Sequence, residues 1–481
     1  LNKYVVITAS NKDDYIKIEA NDNGAISVRI LRKKDKTLKD EYYNRTFYPK
    51  HTKEIWIYGL DDEDTFEVIG KSSKIKIRLI GGQNNDEYIV NKGKNVVIYD
   101  YKSKHNDLSQ ARKAKSKLQD TYDINVYDYK KPKSNTNAIL PIIGGNPDDG
   151  LKLGVSNTYT IYGFERNPFT ARHHIEGSLY FATNGFDLQY KGEFANVIGQ
   201  TNLLVESIFT SPNFTLNFFG YGNETENHQE ELGRDYNRVK VEALQVAPSL
   251  VWKSFGGSHI SIGASYTSVE VDATQNRFVT ETNELPQYIF DDNQFGSVYS
   301  KFKYENYDNT AYPTNGMATS IELGYTLNLE QTDRQFVYLI PEIGFVHKLT
   351  NPGRLVLSTK FKGHLNFNSN YEFYQAATIG GSDGLRGFRN QRFTGQKSYY
   401  QTTDLRYSFK RVKTGIIPVK VGIYGAFDYG RVWLEQEDSD QWHYAYGGGL
   451  FINGADVMSI NLGAFNSIEG ARIIFKVGFG F

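Results

Sequence analysis

From about residue 150 to its end, the chain alternates apolar and polar side chains, in many stretches for ten residues or more. The segment Ala471-Arg472-Ile473-Ile474-Phe475-Lys476-Val477-Gly478-Phe479-Gly480-Phe481 is apolar at every odd position, and Ile474 is its one apolar even position. Leu151-Lys152-Leu153-Gly154-Val155-Ser156 and the stretch 355–365 carry the same period of two. That period puts one set of side chains on each face of a sheet. Strands of soluble sandwiches usually run about five or six residues, whereas a tilted strand needs about 9–11 to cross hydrocarbon. Length therefore points to an all-β, 16-stranded antiparallel transmembrane barrel over 140–481, apolar toward lipid and polar toward the lumen. Closure also removes the edges that such long strands would expose.

Composition agrees where it discriminates. Tyr (35), Phe (30) and Gly (44) are abundant beside 12 Pro and 2 Met, a profile of strands and tight turns. A run of about 18 apolar residues is missing, which argues against membrane helices but not against a barrel. Lys+Arg and Asp+Glu both number 55, so charge gives no case for a nucleic-acid partner. Without Cys, neither a disulfide framework nor a thiolate metal site is available. The opening Leu1-Asn2-Lys3-Tyr4 lacks Met and a signal sequence, and reads as a processed chain or a fragment.

Sixteen strands are expected to start near Gly150, Thr170, Asp187, Thr201, Phe214, Tyr236, Gly257, Gly296, Met317, Phe336, Arg354, Tyr399, Pro418, Trp442, Asp456 and Ala471. Tight turns at Asn184-Gly185, Asn351-Pro352-Gly353 and Asn453-Gly454 would share one end. The long loops 223–235, 274–295 and 368–398 would share the other.

Residues 1–135 read differently, as a charge-dense, β-rich periplasmic or accessory domain. Ser109–Leu118 is compatible with a short helix and better read as a solvated connector. The stretch 125–145 reads as a linker. Within the domain Ile55–Val68 is echoed 22 positions later by Ile77–Val90, with Gly, Asp, aromatic and Val in register. A strand–turn–strand unit at that spacing suits a small solenoid or sandwich. Asp61, Asp62, Asp64, Asn84 and Asp86 offer oxygens that suit Ca²⁺, and the plainer alternative is an Asx-rich turn. No other cofactor is indicated.

The chemistry-bearing stretch lies in the longest loop, Gly380-Gly381-Ser382-Asp383-Gly384-Leu385-Arg386-Gly387-Phe388. An arginine on such a glycine-rich segment can fold inward and meet a wall carboxylate in a bidentate pair. Alternation through Val421–Gly430 turns Ile423, Phe427 and Tyr429 to lipid and Asp428 and Gly430 to the lumen. Gly430 would leave room for a partner. The same count turns Asp404 and Arg406 inward, where a merely solvated wall is the alternative.

These residues resemble the BamA/TamA surface-antigen family of outer-membrane assembly barrels. Gly384-Leu385-Arg386-Gly387-Phe388 is similar to the family's sixth-loop Val/Leu-Arg-Gly-Phe/Tyr motif, and Ala426-Phe427-Asp428-Tyr429-Gly430 to its wall motif, with Ala where Phe or Gly is usual. Asn146–Leu151, Tyr307–Gly316 and the terminal Phe481 resemble further family signals. The resemblance implies a barrel in the outer membrane of a Gram-negative bacterium that inserts or translocates client proteins, with lipid, unfolded clients and other complex subunits as partners. It implies no enzymatic activity.

A weak seam between first and last strands would admit a client strand by β-augmentation. The expected seam residues are Leu151 and Gly154 on one side and Gly478, Gly480 and Phe481 on the other. Residues 1–135 lack the βααββ pattern of POTRA modules. Their Gly/Asp echo resembles the segment before the barrel in Bacteroidota proteins fused to a calcineurin-like phosphoesterase. Two other functions remain open: a passive channel, anion-favouring through Lys152, Lys191, Lys301, Lys360, Lys362 and Lys420, and the membrane anchor of a phosphoesterase lying before Leu1.

Overall fold

Alternation leaves each strand with an apolar and a polar face, and the stretch Asn135–Phe481 accommodates both by closing on itself. In the computed structural model sixteen long antiparallel strands form a closed barrel. The described residues are 3–35, 37–70, 73–91, 95–254, 256–415, 417–435, 437–455 and 458–478. The chain divides into two compact units, Leu1–Ser134 and Asn135–Phe481.

The barrel strands are β1 (Thr136–Asn146), β2 (Gly150–Ile161), β3 (Ala171–Tyr180), β4 (Gly185–Ile198), β5 (Thr201–Thr210), β6 (Arg238–Lys253), β7 (Ser258–Val271) and β8 (Asn293–Glu305). They continue as β9 (Gly316–Asn328), β10 (Gln335–Lys348), β11 (Leu355–Asn366), β12 (Lys397–Ser408), β13 (Val419–Trp433), β14 (His443–Gly454), β15 (Met458–Ser467) and β16 (Gly470–Gly478). Their outward side chains are large and apolar: Val155, Ile175, Leu323 and Ile473 are all exposed. A bilayer supplies the apolar surroundings these faces need. Among the described residues no helix is long and apolar enough to cross a membrane.

Two expected boundaries are corrected, and their effects on the strand count cancel. The stretch read as a linker contains β1, which pairs with β2 over eleven residue pairs. Its sequence, Ile139-Leu140-Pro141-Ile142-Ile143-Gly144-Gly145, does not alternate, so period two misses it. The strand expected at Phe214 is only Thr215–Asn217, paired to the start of β6, and β5 joins β6 directly. Leu151 and Gly154 consequently lie inside the wall, opposite Gly145 and Ile142 of β1, and not at the closure. The long connections 211–237, 272–292 and 367–396 share one barrel end. Asn184-Gly185 turns at that same end, across the barrel from the turns near Asn351 and Asn453.

The N-terminal unit is a β-structure with its own core. Tyr4–Thr8, Glu54–Leu60, Lys76–Gly82, Val96–Asp100 and Lys115–Leu118 form an all-parallel sheet. A second sheet holds Asp14–Ala20, Ile26–Lys34, Thr37–Phe47, Thr65–Gly70, Glu87–Val90 and Asp107–Gln110. From Glu54 onward the chain alternates between the sheets, as a solenoid does. Ile16, Ile57, Phe66, Leu79 and Ile98 are fully buried between them. Ser109–Leu118 forms no helix: it contributes to one short strand in each sheet, separated by a turn.

Candidate functional site

The loop 367–396 joins β11 to β12 at the long-loop end and carries a buried cluster of Ile379, Leu385, Phe388 and Phe393, packed on Tyr400, Val432 and Ala445 of the wall. A two-stranded hairpin, Ala377–Ile379 with Phe393–Gly395, ties the two arms of the loop. Phe388 packs edge-on to Phe393 and His443 at 5.3 and 5.9 Å. Gly384 has φ +107°, and a Cβ there would meet the Tyr400 ring at 2.5 Å. Gly387 is equally confined, with Ala445 at 2.9 Å from an added Cβ. At Gly430 an added Cβ would meet Tyr399 O at 2.6 Å and Tyr400 Cβ at 2.9 Å. The small wall residue thus admits Tyr400, which in turn supports Gly384.

Between these supports Arg386 turns to the wall. Its Nε donates to Asp428 Oδ2 at 2.9 Å and its Nη2 to Oδ1 at 2.6 Å, a bidentate pair. The Arg386 backbone N–H adds a third bond to Asp428 Oδ2 at 3.1 Å. Asp404 on β12 lies 2.7 Å from Arg386 Nη2, and the guanidinium carbon lies 4.6 Å from the centre of the Phe465 ring. Asp428 is fully buried. Arg406 joins a different group: its Nη2 donates to Pro313 O at 2.8 Å, beside the Tyr312 ring.

Two further arginines of the loop went unread in the sequence, although their spacing, Arg386-x-x-Arg389-x-x-Arg392, is a visible signal. Arg389 is 1 % exposed and donates to Asp148 Oδ1 at 2.7 Å and to Asn217 Oδ1 at 2.9 Å. Asp148 sits in the turn after β1, and its Oδ2 accepts from Arg472 of β16 at 2.6 Å and from Asn390 N at 3.0 Å. Arg392 pairs with Glu469 in the last turn and donates to Thr225 Oγ1 at 2.7 Å. The loop therefore holds the wall at Asp428 and both sides of the barrel closure at Asp148 and Glu469.

Among the described residues that closure is short. β1 meets β16 through three residue pairs, Ile143–Val477, Gly144–Lys476 and Gly145–Phe475, among the described residues. On its other side β16 pairs with β15 over nine. Gly478 pairs with Ser459 of β15. Gly480 and Phe481 lie outside the described residues.

A model of the OMP85 superfamily matches residues 216–392, from the fifth-to-sixth-strand connection through Arg389 and Arg392. Over those residues the chain is similar to the OMP85 superfamily. Barrels of that superfamily are proteins of the Gram-negative outer membrane and are generally non-enzymatic. In structure the chain resembles BamA from Haemophilus ducreyi lacking POTRA domains 1–3, with TM-score 0.51 and 14 % identity over 72 % of this chain and 71 % of that one. CdiB from Escherichia coli aligns at TM-score 0.47 and 12 % identity, over 72 % of this chain and 63 % of its own. CdiB from Acinetobacter baumannii aligns at 0.46 and 13 %, over 71 % and 59 %. No curated protein matches in sequence.

In the barrel lumen three of the six lysines meet acids. Lys191 meets Glu206 at 2.7 Å, Lys301 meets Glu322 at 2.9 Å and Lys362 meets Asp383 at 3.3 Å. Lys152, Lys360 and Lys420 lie over tyrosine rings.

In the N-terminal unit the five oxygen-bearing residues serve turns. Asp61 and Asp62 are on the surface side, and Asn84 donates to Asp61 at 2.9 Å. Asp64 and Asp86 are buried rungs of a ladder: Asp14 N donates to Asp64, Asp64 N to Asp86 and Asp86 N to Asn106, at 2.8, 2.9 and 2.9 Å. Among the described residues no three or more His, Cys, Asp or Glu side chains are grouped to hold a metal ion. Burial and the neighbouring Asp86 push the Asp64 carboxyl up to about 9. Burial and Asp100 push Asp86 up to about 8.

Proposed function

We propose that this barrel inserts or translocates client proteins at the outer membrane by opening between β1 and β16. The observation that carries the reading is that, among the described residues, the closure has three pairs, between strands that pair with their other neighbours over eleven and nine. Breaking that ladder exposes two edges, and an incoming strand can add to either by backbone hydrogen bonding. The loop 367–396 acts as an internal brace through Arg386 and Asp428, without covalent chemistry. The similarity of residues 216–392 to the OMP85 superfamily supports the reading. The lysine–carboxylate matching in the lumen favours it over an anion-selective pore.

A covalent staple tests it. The chain has no cysteine, so Gly144→Cys with Lys476→Cys introduces one pair, directly opposed in the closing ladder. A Cβ on Gly144 has only Phe475 O within reach, at 3.8 Å. Oxidised protein in liposomes is expected to stop accelerating insertion of a client barrel, and reductant to restore it. Undiminished insertion by the stapled barrel would refute opening at this closure.

A further inference from the structure

The outer wall of the barrel is not evenly filled. Across β9 to β13 it holds an apolar groove of about 760 Å³, within the roughly 300–1,000 Å³ range of small-molecule sites. The groove lies on the lipid side, because Ile321 and Trp433, which line it, point outward and are exposed. Its floor is Pro341 of β10 beside Gly363 of β11. A Cβ on Gly363 would stand 3.3 Å from Pro341 Cγ, so both residues face the same outward space.

Sequence chemistry explains the depression. Proline brings no N–H to a ladder and glycine no side chain to fill the surface. The β10–β11 ladder accordingly has no residue pair between Leu339–Leu365 and Glu342–Lys362, although the register on both sides is the same. Phe361, Leu365 and Trp433 stand around the gap. An acyl chain is the one occupant that the surrounding bilayer presents to such a slot at high concentration.

The rim adds charge. Lys397, the first residue of β12, lines the groove at the long-loop end and is exposed. Long loops face the exterior in outer-membrane barrels, which puts Lys397 at the outer leaflet. Its side chain makes no ion pair or hydrogen bond among the described residues, Glu435 on the same rim included. Tyr399, Trp433 and Trp442 cluster beside it, with Trp442 at 6.1 Å from each of the other two, as an interfacial aromatic belt does.

We propose that this groove is a binding site for an anionic lipid of the outer leaflet, with an acyl chain over Pro341 and Gly363 and a phosphate at Lys397. A lysine at an anionic interface favours such a lipid by about fivefold over a zwitterionic one.

Trp433 lines the groove, and Trp252 on β6 faces lipid on a distant part of the wall. Two full-chain variants retain one of these tryptophans each, the other three being replaced by Phe. Each is titrated, in phosphatidylcholine vesicles, with chain-brominated phosphatidylglycerol or chain-brominated phosphatidylcholine. Trp433 is expected to be quenched at about fivefold lower mole fraction by the anionic lipid, and Trp252 equally by both. Lys397→Gln should abolish the preference while leaving quenching intact. Gly363→Leu, which fills the floor, should weaken quenching of Trp433 by both lipids. The proposal is overturned if the Trp433 curves coincide for the two lipids, or if Lys397→Gln keeps the preference. An unchanged curve in folded Gly363→Leu also overturns it.

Discussion

Arg472, on the last strand, donates to Asp148, in the first turn, at 2.6 Å across the line where the barrel closes. The closing register pairs Gly145 with Phe475, and three residues further along it sets Asp148 opposite Arg472. The ion pair thus extends the contact beyond the Gly145–Phe475 end of the ladder. Asp148 is also the counter-charge of buried Arg389, so its removal strands a cation inside the barrel. Arg472→Ala is expected to weaken the closure by about 1.5–3 kcal/mol, the worth of a hydrogen bond to a charged group. Asp148→Asn should cost more, about 3–5 kcal/mol. Hydrogen exchange of amides in 136–146 measures both, and faster exchange in the order Asp148→Asn, Arg472→Ala, wild type is the expected outcome.

The brace at Arg386 depends on a fork and not merely on a charge. Two of its nitrogens meet the two oxygens of Asp428 while one also meets Asp404. Lysine cannot reproduce that geometry. Arg386→Lys is therefore expected to behave nearly as Arg386→Ala, with client insertion into liposomes reduced at least about tenfold, equivalent to 1.4 kcal/mol. Barrel folding should be retained in both, since the ladders on either side of Asp428 do not involve the loop. Wild-type insertion rates in Arg386→Lys would exclude the fork.

Period two made most of the wall legible, including the inward face of Asp428 and the outward face of Phe427, because lipid and lumen sort side chains strictly. It failed where other constraints govern. β1 carries Ile139-Leu140 and Ile142-Ile143 around Pro141, and only its pairing with β2 reveals it as a strand. Phe214 begins an alternating stretch that leaves the barrel to fold against β6 at the long-loop end. Arg386 stood out by its glycines, whereas Arg389 and Arg392 have partners, Asp148 and Glu469, that are distant in sequence and fixed only by closure of the ring. The Gly/Asp echo was visible, but its purpose was not. Each aspartate accepts the backbone N–H of the preceding coil, a relation that exists only once the coils stack.

The echoed glycines are tied to those aspartates by space. A Cβ on Gly81 would overlap the carboxylates of Asp86 and Asp100 and the hydroxyl of Tyr88, and one on Gly59 would overlap Asp64. Overfilling a packed interior costs about 1–3 kcal/mol. Gly81→Ala is expected to lower the thermal midpoint of the N-terminal unit, followed by the fluorescence of buried Trp56. Gly425→Ala on the barrel, where a Cβ meets nothing within 4 Å, should leave the barrel's midpoint unchanged.

The carboxyl ladder also gives the N-terminal unit a pH dependence of unusual sign. Burial raises Asp64 to about 9, Asp86 to about 8 and Asp100 to about 6, from the ordinary aspartate value near 3.8. Between these limits the folded unit holds more protons than the unfolded chain, so unfolding becomes easier as pH rises. The contribution is complete below about pH 4 and is lost progressively up to about pH 9. Most solvent-paired aspartates act in the opposite direction, favouring the folded state as they ionise. Thermal unfolding followed at Trp56 in the full chain should show a midpoint that falls from pH 5 to pH 9. Asp64→Asn and Asp86→Asn should each flatten that slope, since an amide keeps the backbone-accepting oxygen and carries no charge at any pH. A midpoint that rises over this range would mean the carboxylates are ionised in the folded unit.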